Sequence, residues 1–380
     1  MNRKLLPLLI AGLAAGTVNA ADSSIIPTVY GKINVTLNKY DLESIASPTR
    51  SFTSGDDWKL ESNASRLGVK GDYPLFGDTK AIYKLEYEVY TDSDKQGDNG
   101  SDFKQRNTYA GLQGGWGTLF AGKNDTPLKA LAAETIQIFK DLPLADFKYI
   151  MVGENRENNI IQYATPNLSG LVASIQIEPG EDSGSKGANG ATSTSHTNHG
   201  LVDKYSVGVT YKLDALYLGI AADRNEVNTN TVRGVAQYDF GPVVLGGLYQ
   251  KSDRKYDTTN TGAVNTIGSI SAPNTTVTNS PINEFTTLYK SQDAYAVTAA
   301  WKIADFTIKG QYAHSSSEVD KSLNYSDTKA TNYVAGVDYA LNKSAKVFAY
   351  YAQLKTEGED AKFNGTLDDK TFAVGWEFKF

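Results

Sequence analysis

The feature that most constrains this chain is an alternation with period two that returns along nearly its whole length. In Thr371–Phe380 the even positions are Phe372, Val374, Trp376, Phe378 and Phe380, and the odd ones are Thr371, Ala373, Gly375, Glu377 and Lys379. Successive side chains of a strand point to opposite faces, so one face here is greasy and the other polar. Val29–Leu37 repeats the pattern, with Val29, Ile33, Val35 and Leu37 set against Tyr30, Lys32, Asn34 and Thr36. Ala81–Val89, Val232–Phe240, Tyr295–Trp301 and Phe306–Tyr312 follow it too. One such segment alone also describes a half-buried strand of a soluble sandwich. Many of them, each about ten residues long, match tilted strands that cross a bilayer.

Residues 1–20 read as a cleavable signal peptide. Arg3 and Lys4 precede an apolar stretch from Leu5 to Ala15, and the small residues Val18 and Ala20 set a cut before Ala21. That stretch is well short of the roughly 20 residues a membrane helix needs, and no later run reaches that length, which excludes a helical membrane protein. Cleavage takes the formal charge from −6 to −8, because Arg3 and Lys4 are the only charged residues lost. No basic patch argues for a nucleic-acid partner. The absence of cysteine removes both a disulfide framework and a thiolate metal site. Asp92, Asp94, Asp98 and Asp102 with Gly97 and Gly100 miss the spacing of a calcium loop, so no metal or cofactor is expected. No linker or charge block divides residues 21–380, which are expected to form one domain.

The connections between segments alternate between short turns and long polar stretches. Gly114–Gly117, Leu213–Asp214, Gly241–Pro242, Ile303–Ala304 and Leu341–Lys343 are short, as are Asp72–Asp78 and Pro166–Gly170. Between them lie Asn38–Ala64, Tyr90–Phe103, Asn124–Glu157, Pro179–Val202, Arg224–Asn230, Ser252–Gln292, Ser315–Lys329 and Lys355–Asp369. Long loops on one side and turns on the other predict an all-β, transmembrane, up-and-down antiparallel β-barrel of about sixteen strands. Closure is required because an open sheet edge cannot lie in hydrocarbon. A barrel this wide encloses water unless something plugs it, and the first strand begins too early for an N-terminal plug.

Several fragments resemble the trimeric general-diffusion porins of Gram-negative bacteria. They are Tyr30-Gly31-Lys32, Ser65-Arg66-Leu67-Gly68-Val69-Lys70-Gly71, and Arg106 with Tyr109-Ala110-Gly111-Leu112. Gly117-Thr118-Leu119-Phe120-Ala121-Gly122-Lys123 and Arg156 with Asn158-Asn159-Ile160-Ile161-Gln162-Tyr163 continue the series. The resemblance implies an outer-membrane homotrimer surrounded by lipid and lipopolysaccharide, passing small hydrophilic solutes and ions passively, without catalysis. It also implies a third loop, about 124–157, folded into the lumen. Lys32, Arg66, Arg106 and Arg156 would then form the basic side of a constriction, and Glu134, Asp141, Asp146 and Glu154 the acidic side. The Pro-Glu-Phe-Gly-Gly stretch of enterobacterial porins is missing, which leaves open which acids face the pore. Parity places Lys32 and Arg66 on the watery face independently; around Arg106 it is ambiguous. Phe380 resembles the terminal aromatic read by the barrel-assembly machinery, and equally fits an interfacial aromatic belt.

Other functions compete. A sugar-selective porin differs only in the aromatic lining of its channel. A barrel enzyme needs a nucleophile beside a histidine, and His314 next to Ser315–Ser317 is the one pairing to test. The Thr/Asn-rich Ser252–Gln292 suits an adhesin, and Tyr90–Phe103 suits either a subunit latch or a solvated loop. The net −8 leans toward cations, although the outer loops hold much of that charge.

Overall fold

The computed structural model describes residues 26–45, 52–55, 57–92, 102–133, 135–180, 200–226, 229–254, 289–319, 327–359 and 364–380. The expected signal peptide and Glu134 lie outside them. The strands are β1 (Thr28–Ile45), β2 (Phe52–Gly55), β3 (Trp58–Ser62), β4 (Arg66–Phe76), β5 (Thr79–Val89) and β6 (Phe103–Gly114). Then follow β7 (Gly117–Asp125), β8 (Arg156–Ala164), β9 (Leu171–Glu178), β10 (Lys204–Leu213), β11 (Leu216–Glu226) and β12 (Thr229–Asp239). The last are β13 (Val243–Arg254), β14 (Tyr289–Ile303), β15 (Phe306–Val319), β16 (Thr328–Ala340), β17 (Ala345–Glu359) and β18 (Asn364–Lys379). From β4 onward sequential neighbours pair antiparallel, and β1 pairs with β18 from Lys32↔Lys379 to Asp41↔Lys370, which closes the barrel.

β2, β3 and β4 lie one after another along β1, opposite Leu42–Ile45, Val35–Lys39 and Thr28–Lys32 respectively. They therefore act as one pass across the membrane, so the described strands make a sixteen-stranded barrel. The break falls at Asn63–Ser65, where Ala64 takes φ +50°. Ser65 Oγ accepts from Asn34 N at 3.0 Å and donates to Asn34 O at 3.2 Å, so a side chain satisfies backbone that the ladder leaves unpaired.

The alternation resolves as expected. Phe372, Val374, Trp376 and Phe378 are exposed on the outside of β18, while Thr371 and Ala373 are buried inside. Aromatic side chains gather in two girdles on the outer face, as interfacial belts require. One lies at the turn end, with the pairs Tyr238–Phe240 (4.5 Å), Phe306–Tyr339 (4.8 Å) and Phe378–Phe380 (5.8 Å). The other lies toward the long loops, where Tyr295, Tyr312 and Tyr333 follow one another at 5.9 and 5.3 Å.

Several strands outrun their alternation. β1 has 18 residues and β18 has 16, so Asn38–Ile45, expected in a loop, continues the ladder. Lipid is what demands a greasy face; beyond it both faces are wet, and strands continue with no sequence signal. Two connections are also shorter than expected. β11 runs to Glu226 and β12 begins at Thr229, within the supposed loop Arg224–Asn230. β4 passes through Pro74 to a turn at Gly77, and the register shifts between Pro74 and Phe76, where a bulge tolerates the missing proline N–H.

Candidate functional site

The chain between β7 and β8 turns into the barrel and makes two laps along its inner wall. The outgoing lap starts with helix α1 (Pro127–Ala133) and runs nearer the turn end. Wall side chains take its carbonyls in strand order: Tyr217 (β11) donates to Leu131 O, Gln237 (β12) to Thr135 O, Lys309 (β15) to Ile138 O and Tyr350 (β17) to Pro143 O. The return lap includes a 3-10 turn, Phe147–Tyr149, and runs nearer the long loops. Asn332 (β16) donates to Leu144 O, Gln311 (β15) to Ala145 O and Gln250 (β13) to Val152 O; Gln292 (β14) accepts from Val152 N. Every strand from β11 to β17 therefore holds loop backbone.

Between these bonds the loop is apolar. Leu128, Leu131, Ile136, Phe139 and Phe147 are fully buried, packed on Ala221, Ala294, Ala296, Ala313 and Ala352 of the wall. Each such side chain contributes about 1.5–3 kcal/mol on burial. The loop is thus seated by the same physics as a soluble core.

The opposite wall is different. Lumen side chains such as Arg66, Lys84, Glu88 and Tyr109 stay partly exposed. A belt of charges leads to it from β15 round to β1: Lys309–Asp338 (3.0 Å), Asp338–Lys346 (2.9 Å), Lys346–Glu377 (3.9 Å) and Glu377–Lys32 (3.8 Å). The belt continues through Lys32–Asp141 (2.8 Å) and Asp141–Arg66 (3.9 Å), then resumes with Lys84–Glu86 (3.4 Å), Glu86–Arg106 (3.1 Å) and Arg106–Glu88 (2.9 Å). Asp141 is the loop's contribution. Burial alone would raise its pKa, but Lys32, Arg106 and Arg66 outweigh burial and hold the carboxyl well below the usual carboxylate range.

A closed barrel, a loop seated inside it and a charged open wall describe a water-filled channel, and a family model described as Gram-negative porin matches residues 8–359. The chain belongs to the Gram-negative porin family. It is an outer-membrane channel for passive diffusion. Among its relatives, the major outer membrane protein P.IB of Neisseria gonorrhoeae is 24% identical over 373 residues, covering 93% of this chain and 94% of the relative. Among solved structures, the anion-selective porin from Comamonas acidovorans shares the fold at a TM-score of 0.61, with 20% identity over 93% of this chain and 99% of that one. The trimer form of OmpT from Vibrio cholerae matches at 0.59, with 14% identity and coverage of 93% and 99%.

In this porin the four basic positions occupy two places. Lys32, Arg66 and Arg106 stand along the charged wall around Asp141. Arg156 sits at the base of the loop, donating to Asn107 Oδ1 at 2.7 Å and paired with Asp125 at 2.9 Å. Among the acids, Asp146 lies inside the loop. It accepts from Asp141 N (2.7 Å), Lys148 N (3.0 Å) and Gln137 Nε2 (2.9 Å). Glu154 faces the wall and pairs with Arg233 at 2.8 Å.

Arg233 of β12 escaped the sequence reading. It is fully buried, and its guanidinium donates to Leu128 O (3.3 Å) on the outgoing lap and to Val152 O (3.1 Å) and Glu154 (2.8 Å) on the return. One side chain bridges both arms at the loop's root. The only cue was a charge at a lumen position of Val232–Phe240. The candidate histidine, His314, bonds Thr331 at 2.9 Å and lies against Tyr295 in the outer girdle, with Ser315 and Ser317 on the other face of β15.

Proposed function

We propose that solutes cross this porin through the space between the in-folded loop and the wall of β1–β9, and that this space favours small anions. Residues 124–157 then form the constriction, with Lys32, Arg66 and Arg106 as its basic side and Asp141 as its acid. The observation that carries this reading is the position of Asp141, bound to the basic wall, while Asp146 and Glu154 are engaged within the loop and at its anchor. The charged belt holds more basic than acidic groups, and opposed charges in a narrow lumen orient polar solutes and reject apolar ones. Anion preference also accords with the Comamonas porin, which is anion-selective, and it departs from the cation lean of the whole-chain charge. Nothing in this transport calls for a catalytic group.

The same reading makes the protein a homotrimer, as the Vibrio relative's trimer form supports, set in lipid and lipopolysaccharide. Phe380 would serve the assembly machinery. Its backbone closes the barrel through Gly31 N→Phe380 O (2.9 Å) and Phe380 N→Gly31 O (3.1 Å). Planar-bilayer recording tests the whole proposal: three equal conductance steps per insertion and a reversal potential on the anion side are expected. A silent barrel, or a cation-selective one, overturns it.

A further inference from the structure

Four glycines of the wall lie under the outgoing lap, each beneath a different loop side chain. A Cβ built on Gly208 (β10) would stand 3.2 Å from Pro127 Cβ, and one on Gly219 (β11) 2.4 Å from Leu131 Cδ1. On Gly246 (β13) it would be 2.9 Å from Ile136 Cδ1, and on Gly336 (β16) 2.9 Å from Phe139 Cε1. Loop residues and strands run in the same order, so the loop is keyed to the wall step by step. None of the four glycines has a positive φ, so backbone conformation does not call for glycine there. Glycine inside a strand weakens it, and space for a neighbour is the remaining reason to keep one. Gly234 and Gly310, on the outer face of the same wall, have nothing within 4 Å of such a Cβ.

We propose that Gly208, Gly219, Gly246 and Gly336 are specificity-determining positions of this channel: as notches that admit loop side chains into the wall, they set the loop's depth and hence the width of the passage. The proposal rests on the reading of this loop as the constriction. Gly219 is the cleanest case, because Leu131 Cδ1, at 2.4 Å, is the one atom nearer than 3.3 Å. Restoring an ordinary contact of about 3.5–4.0 Å there requires Leu131 to withdraw toward the pore by roughly 1 Å or more.

The test compares Gly219→Val, Gly219→Val with Leu131→Ala, and Gly234→Val in the full-length porin. Single-channel conductance and the exclusion limit for polyethylene glycols report the passage. Loop position is read separately, from the distance between spin labels on Ala130→Cys and Lys70→Cys, which label cleanly because the chain has no cysteine. Gly219→Val is expected to move the label pair closer, lower the conductance and shift the exclusion limit to smaller polymers. Leu131→Ala is expected to reverse all three, and Gly234→Val to change none. A label shift with unchanged conductance keeps the notch but overturns its role in pore width, and with it the constriction. Unmoved labels in Gly219→Val overturn the notch itself and leave the constriction standing. If Gly219→Val does not assemble, Gly219→Ala with and without Leu131→Ala makes the same comparison.

Discussion

Replacing Arg233 by methionine keeps the volume of its stem and removes every donor that ties the loop's two arms to β12. Glu154 would lose its 2.8 Å partner while its side chain stays nine-tenths buried. An uncompensated buried charge of this kind costs about 3–5 kcal/mol. Val152 O keeps its bond from Gln250 at 2.9 Å and Leu128 O its place in the ladder of α1, so the newly orphaned group is Gln250 Oε1, which loses the 2.8 Å bond from Arg233 Nε, adding about 1–3 kcal/mol. The loss, about 4–8 kcal/mol, falls on the root of the loop and spares the ladder of the barrel. Loop seating should therefore weaken by two or more orders of magnitude in local opening equilibrium, at about 1.4 kcal/mol per decade, with the barrel intact. Hydrogen exchange in detergent measures this directly: amides of 128–133 and 150–155 should exchange much faster in Arg233→Met, and those of β14–β17 should not. Adding Glu154→Gln removes the stranded charge and should restore part of the protection. Unchanged exchange in both arms would refute the assignment of Arg233 as their common anchor, as would equal loss in β14–β17.

Neutralising Arg66 and Arg106 together to glutamine should move the reversal potential in a salt gradient toward cations; an unchanged potential removes them from the constriction. Asp141 has a depressed pKa, so its contribution to loop seating is full above the unfolded value of about 3.9 and fades only as pH falls through the lower folded value. Conductance recorded from pH 7 to 4 should then show no step assignable to Asp141, and a step that vanishes in Asp141→Asn would contradict this. Gly31→Val puts its Cβ 2.4 Å from Phe380 Cζ and 2.8 Å from Arg66 O at the closing seam. Overpacking there costs about 1–3 kcal/mol, visible as a lower heat-dissociation temperature on semi-native gels, and Phe380→Ala should return part of it.

The barrel was legible because lipid imposes a rule on every second residue. Phe372, Val374, Trp376 and Phe378 show their role without any neighbour in view. Asn38–Ile45 shows how that rule lapses above the membrane, where the ladder persists and the pattern does not. The seat of the loop was hidden for another reason. Gln237, Lys309, Gln311 and Asn332 are polar lumen residues, and a residue that holds a loop carbonyl looks like one that merely meets water. A cue did exist within the loop: Ile136-Gln137-Ile138-Phe139 and Phe147-Lys148-Tyr149-Ile150-Met151-Val152 are too apolar for a solvated segment, and pointed to a packed insert.

The wall grips the loop chiefly by its carbonyl oxygens, at Leu128, Leu131, Thr135, Ile138, Pro143, Leu144, Ala145 and Val152. Every residue type carries that acceptor, so this part of the fastening does not depend on the side chains that turn away from the wall. Positions turned to the water, such as Ala130 and Lys148, are therefore free to diverge without unseating the insert. Such a design separates holding from sorting, and makes the filter of the channel evolvable, and open to redesign, one pore-facing residue at a time.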